Sequence, residues 1–205
     1  METCKVIAVI FFGYVLGSVP FAVLISRMVK GIDIRQVGTK NPGAANVLRE
    51  VGKVWGILVW LLDTLKGVGA MLLAHRALGV HLFWVVMAGI AAVAGHCWSP
   101  FLRFRGGRGV STAGGVLFYV VPKAFPFCLL LYFLVQKWAP RSFWAAGMAI
   151  VGFFGLALLF YRTHLAWLGP AVAIFIVVGL IVNIPTIRET MEKRRAQSSK
   201  QRDTD

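Results

Sequence analysis

Acidic side chains are the scarcest charged groups in this 205-residue chain: 8 Asp and Glu stand against 22 Lys and Arg, a net charge of +14. Charged residues make up 15% of the chain and apolar ones 58%, against roughly 25% and 45–50% in soluble domains. That excludes an ordinary soluble domain. It also excludes a nucleic-acid binder, whose basic groups decorate a polar body. Cysteine is rare, and Cys4, Cys97 and Cys128 have no paired spacing, so neither a disulfide framework nor a zinc site is expected. No cluster of His and carboxylates offers another metal site. A Gly-x-Ser-x-Gly elbow is missing, which removes a serine acyl-enzyme. The Gly-x4-Gly-Lys-Ser/Thr loop of nucleotide hydrolases is missing too.

What the chain has is apolar length, with a mean hydropathy of +0.74. A helix needs about 20 apolar residues, rising 1.5 Å each, to cross the ~30 Å hydrocarbon core. Residues 6–26, 54–74, 82–100, 143–161 and 165–184 meet that length. The first run is too long for a signal peptide and lacks a small-residue cleavage site, so it reads as a retained helix. Residues 110–136 are apolar but carry Pro122, Lys123 and Pro126. Basic loops stay on the cytoplasmic side. Arg27, Lys30, Arg35, Lys40, Arg49 and Lys53 mark one such loop, and Arg103, Arg105 and Arg108 another. The tail, with Lys193, Arg194 and Arg195, joins them inside only if 110–136 crosses twice, turning at Lys123. The expectation is an all-α polytopic membrane protein with seven transmembrane helices, two of them short, amino terminus out and carboxyl terminus in. Residues 1–187 form a single transmembrane domain. Residues 188–205 form a basic, loosely ordered cytoplasmic tail on anionic lipid.

Two polar segments carry chemistry. Residues 38–49, Gly-Thr-Lys-Asn-Pro-Gly-Ala-Ala-Asn-Val-Leu-Arg, combine glycines that let backbone N–H groups converge on an anion with Thr39, Asn41, Gly43 and Asn46 and the cations Lys40 and Arg49. An ordinary basic turn explains this loop equally well. Residues 104–112, Phe-Arg-Gly-Gly-Arg-Gly-Val-Ser-Thr, interleave Arg105 and Arg108 with Gly106 and Gly107 ahead of a helix opening at Ser111 and Thr112. A helix amino terminus and bidentate arginines both favour phosphate, and a mere topology marker needs no glycines. Asp63 and Lys66, at i and i+3, fall mid-membrane, away from both loops in depth, and pair structurally or functionally. His96 ends its helix beside the arginine-glycine segment, where a base or an orienting group would meet a substrate hydroxyl. Two anion loops on one membrane face would act by holding two phosphorylated molecules in attack geometry.

Gly17-Ser18-Val19-Pro20-Phe21, the 38–49 segment, Asp63-Thr64-Leu65-Lys66-Gly67, and Gly95-His96 through residues 104–112 resemble, in order and spacing, the PlsY family. These are bacterial acyl-phosphate:glycerol-3-phosphate acyltransferases. The resemblance implies seven helices in the inner membrane and a site facing the cytoplasm. It also implies a place in phospholipid biosynthesis: fatty acyl transfer from acyl phosphate to the 1-hydroxyl of glycerol 3-phosphate, giving lysophosphatidic acid, with no cofactor or metal. Catalysis then falls to Arg49, Arg108, His96 and, through the family's last motif, Asn183. Thr39, Asn41, Gly43, Asn46, Arg105, Gly106, Gly107, Ser111 and Thr112 hold substrate. Leu180 stands where the family's last helix carries His, three residues before Asn183-Ile184. The alternatives are a non-catalytic relative that binds lipid phosphates and an organic-phosphate transporter.

Overall fold

A computed structural model describes residues 2–123 and 125–127, together with 130, 134, 177 and 184. Among the described residues every regular element is a helix. Helix α1 spans Glu2–Ser18 and α2 spans Phe21–Lys30. The apolar run at 6–26, expected as one helix, is therefore broken at Val19-Pro20. Proline has no N–H to continue the ladder, and the break releases carbonyls that the site uses. Helix α2 stops at Gly31, left-handed at φ 66°, whose N–H caps Arg27 O; this is the usual glycine stop.

Helix α3, Ala44–Glu50, lies inside the segment read as a loop. Helix α4, Lys53–Leu72, runs on into a π turn at Leu73–Ala77. Helix α5, Leu82–Cys97, is followed by a 3-10 turn at Pro100–Leu102, and α6 covers Val110–Val120. The stretches Glu2–Lys30, Lys53–Ala77 and Leu82–Leu102 are long and apolar enough to cross a membrane. Eleven residues of α6 reach only about 16 Å, roughly half the hydrocarbon thickness. The helix ends at residues 121–123 and the chain is helical again at Phe125, whose ring packs on Phe118 with centroids 5.2 Å apart. Residues 110–136 are thus not one continuous helix. The spans expected at 143–161 and 165–184, with Leu180, Asn183 and the tail, lie outside the described residues, apart from the helical Val177 and Ile184.

Small residues set how closely the helices approach. A Cβ on Gly13 would lie 2.5 Å from the carbonyl oxygen of Ala88, and one on Gly17 would strike that of Ala92. Glycine every fourth residue on α1 against alanine every fourth on α5 is the small-residue packing used inside membranes. The close contact holds the end of α1 against the end of α5. There Tyr14 Oη donates to Trp98 O at 2.6 Å, and Ser99 Oγ donates to Ser18 O at 2.7 Å. One apolar core joins α1, α4, α5 and α6 through Val9, Met71, Val85, Ala88 and Val116. A second lies under the 31–43 loop, where the buried Ile34 packs with Ala22, Val23, Val47, Val59 and Leu102. That anchor fixes one wall of the site.

Candidate active site

The two polar segments meet over the carboxyl end of α5 and enclose a cavity of about 560 Å³, within the range of small-molecule sites. Thr39, Lys40 and Asn41 line one side; Arg105, Gly106, Gly107 and Arg108 line the other, with Cys97 and Trp98 between them. Arg103 and Phe104, left-handed at φ 54° and 60°, turn the chain back over α5. That conformation is uncommon for residues with a Cβ.

Gly106 and Gly107 do something other than the cradling expected of them. Gly106 N–H donates to Cys97 O at 2.9 Å and Gly107 N–H to His96 O at 3.1 Å. These bonds satisfy the last carbonyls of α5, which a helix end leaves unpaired. A side chain at 106 would strike His96 O, and one at 107 would strike His96 Nε2. Glycine is required here for close approach, and these two N–H groups are not free for phosphate. The donors this segment leaves free in the lining are the guanidinium groups of Arg105 and Arg108; the start of α6 has no side-chain cap but lies outside the lining. Both arginines are exposed, and neither forms an ion pair among the described residues.

Sequence reading missed Asp33 and Arg35, which also line the cavity. Asp33 Oδ2 lies 2.6 Å from Arg35 Nη2 and 3.0 Å from Arg27 Nη2, and Oδ1 accepts from Arg35 N and Nε at 3.0 Å each. Hydrogen bonds from the Arg35 side chain hold the Asp33 carboxyl well below the usual carboxylate range, against an opposing pull from partial burial. The same bond raises Arg35. The signal was present: Asp33 is the one acid between α2 and α3, two residues before an arginine. Arg35 is spent on Asp33, which leaves Lys40, Arg105 and Arg108 as the cations in the lining without a carboxylate partner among the described residues.

Other expected ligands stand elsewhere. Asn46 is fully buried: Oδ1 accepts from Thr39 N–H, and Nδ2 donates to Ile34 O and Val37 O, each at 3.0 Å. Both its amide hydrogens are used, so it braces the loop and has none left for substrate. Gly43 caps α3 and donates its N–H to Asn41 O at 2.9 Å. Thr112 is buried against α4, where its carbonyl meets Gly67. Ser111 is half-buried and does not line the cavity. Arg49 is exposed on α3, outside the lining.

Asp63 and Lys66 are not remote from the loops. Asp63 Oδ1 lies 3.0 Å from Lys66 Nζ and 3.6 Å from His96 Nδ1. Lys66 Nζ also donates to Val19 O, freed by the α1–α2 break, at 3.0 Å. The cluster sits about 15 Å down α4 from Lys53, directly behind Gly107.

A family model described as glycerol-3-phosphate acyltransferase matches residues 7–193. The chain belongs to the glycerol-3-phosphate acyltransferase family. It is 36% identical over 197 residues to glycerol-3-phosphate acyltransferase 1 of Deinococcus radiodurans, covering 94% of this chain and 96% of that one. It is 40% identical over 134 residues to the enzyme of Aquifex aeolicus, covering 65% and 69%. The crystal structure of PlsY (YgiH), an integral membrane glycerol 3-phosphate acyltransferase in its glycerol 3-phosphate form, superposes with TM-score 0.81 at 31% identity, over 92% of this chain and 93% of that one. The lysophosphatidic acid form of the same protein gives 0.80 at 30%. The chain is thus a membrane acyltransferase of phospholipid biosynthesis, helical in every regular element of its described residues. Within this family's fold, the loop pair at 33–42 and 104–108 is the polar site of the described residues.

Proposed function

We propose that the protein transfers a fatty acyl group from acyl phosphate to the 1-hydroxyl of glycerol 3-phosphate in this cavity, releasing lysophosphatidic acid and inorganic phosphate. The observation that carries the reading is the set of cations lining the cavity: among the described residues Lys40, Arg105 and Arg108 have no carboxylate partner, while Arg35 is neutralised by Asp33. Two phosphorylated substrates supply the missing negative charge. Arg105 and Arg108 hold the phosphate that leaves, since guanidinium groups pair with phosphate oxygens. Thr39, Lys40 and Asn41 hold glycerol 3-phosphate, and Arg49 adds positive charge to its approach.

The oxygen of the 1-hydroxyl attacks the acyl carbon as the carbon–oxygen bond to phosphate breaks. The hydroxyl proton passes to an oxygen of the departing phosphate, because His96 is buried outside the cavity lining with its Nε2 covered by Gly107. Acyl phosphate is already activated, so orientation and charge stabilisation do most of the work. We further read the chain as seven-spanning in a bacterial inner membrane, amino terminus outside and cavity toward the cytoplasm, with Asn183 completing the site. Basic loops on the inner face support that orientation.

The test is purified protein in detergent, supplied with glycerol 3-phosphate and either acyl phosphate or acyl-CoA. Lysophosphatidate and inorganic phosphate are expected in equal amounts from acyl phosphate. Equal rates from acyl-CoA alone would refute the donor assignment.

A further inference from the structure

We propose that Lys40 is a specificity-determining residue: it is the cation through which the 33–42 wall of the cavity selects a phosphorylated acceptor. The proposal rests on the reading of the cavity as the acyl-transfer site. Three charged residues of that segment reach the lining: Asp33, Arg35 and Lys40. Asp33 accepts from both Nε and Nη2 of Arg35 and also from Arg27, so the Asp33–Arg35 pair adds no net charge to the wall. The single positive charge left over is that of Lys40. Without it the wall is neutral, and the net charge of the lining rests wholly on Arg105 and Arg108 in the other segment. Two phosphates drawn to one wall repel each other, so a cation on each wall is what lets both substrates load.

The backbone at this residue points the same way. Lys40 has φ 59°, a left-handed conformation that glycine and asparagine enter readily and a residue with a long side chain enters at a cost. The loop is braced on both sides of it. Lys40 N–H donates to Val37 O at 3.0 Å, Thr39 N–H to the buried Asn46 Oδ1 at 3.0 Å, and Gly43 N–H to Asn41 O at 2.9 Å. Strained residues of this kind gather at functional sites. Among the described residues the non-glycine examples are Lys40, Arg103 and Phe104; Lys40 and Phe104 line this cavity, one from each segment, and Arg103 adjoins Phe104. No neighbouring acid claims the ammonium. The carboxyl group of Glu50 lies close against Gly38 but forms no ion pair with Lys40 among the described residues, and Asp33 is occupied by two arginines. Lys40 is exposed, and a lysine binds phosphate as a point charge.

The test is steady-state kinetics of Lys40→Gly, Lys40→Asn and Lys40→Arg, varying glycerol 3-phosphate and acyl phosphate in turn. Glycine and asparagine suit the backbone, so both neutral variants should melt no lower than the wild type. Each should raise KM for glycerol 3-phosphate roughly tenfold, the effect of losing one charge-assisted contact, with kcat and KM for acyl phosphate within about twofold. Lys40→Arg keeps the charge and should recover most of the affinity. Neutral variants with wild-type KM, an arginine variant no better than the glycine one, or a rise confined to KM for acyl phosphate would each overturn the proposal.

Calorimetric titration with glycerol 3-phosphate alone separates this proposal from the functional reading. The wild type should bind it, and Lys40→Gly about tenfold more weakly. Equal binding by the two proteins would overturn the role of Lys40. Binding that depends on Lys40, in a protein that makes no lysophosphatidate, would support that role and sink the functional reading instead.

Discussion

Replacing Asn46 by alanine separates a brace from a ligand. The side chain makes three hydrogen bonds, to Thr39 N, Ile34 O and Val37 O, and is fully buried. Each such bond contributes about 0.5–1.5 kcal/mol net, and partners left buried without a replacement cost more than the mean. The sum is on the order of 3 kcal/mol. For a chain of this size that corresponds to a fall of roughly 6–12 °C in melting temperature. Asn46→Ala should therefore melt well below the wild type in detergent and raise KM for glycerol 3-phosphate, because Thr39, Lys40 and Asn41 lose their support. Thr39→Ala is the matched control. Its side chain is exposed and its bond to Asn46 comes from the backbone, so only KM should change. An Asn46→Ala protein that melts with the wild type and differs only in KM would show that Asn46 touches substrate and that the brace is wrong.

Asp33 predicts a pH signature. A carboxyl whose folded pKa is depressed stabilises fully above its unfolded value and loses that contribution as pH falls toward the folded one. The melting difference between wild type and Asp33→Asn should hold constant from neutral pH to about pH 5, and shrink only below the ordinary carboxylate range near 4. A difference already gone at about pH 5 would contradict the Arg35 hydrogen bonds. Arg49→Ala should raise KM for glycerol 3-phosphate with little change in melting, because the side chain is exposed; a lowered melting temperature at unchanged KM would make it structural. Single cysteines replacing Lys123 and Arg108, in a cysteine-free background, should label from opposite faces of intact cells. Same-side labelling would overturn the double crossing of residues 110–136.

The membrane class, the apolar runs and the two polar loops were legible because hydrophobic length and glycine-arginine interleaving are local properties. The break at Pro20 was written in the sequence too, but an apolar run outweighs one proline when only length is read. What sequence could not supply was which groups are already occupied. Gly106 and Gly107 look like anion donors until their N–H groups are seen capping α5, and Asn46 looks like a ligand until all three of its bonds turn inward. Depth misled in the same way: Asp63 lies far along α4 from the loops, yet the chain after α5 dips to meet it. Arg35 was passed over as one basic residue among many, since only the fold shows that Asp33 claims its charge.

The central claim is that the arginine-glycine loop stabilises the departing phosphate. It is tested most directly by the kcat/KM for acyl phosphate of Arg108→Ala and of Arg105→Ala/Arg108→Ala, measured on protein whose melting matches the wild type. Loss of a charged donor to the transition state costs on the order of 2–4 kcal/mol, a fall of roughly 30- to 800-fold for Arg108→Ala and more for the pair. A double variant that retains near-full kcat/KM would contradict the account.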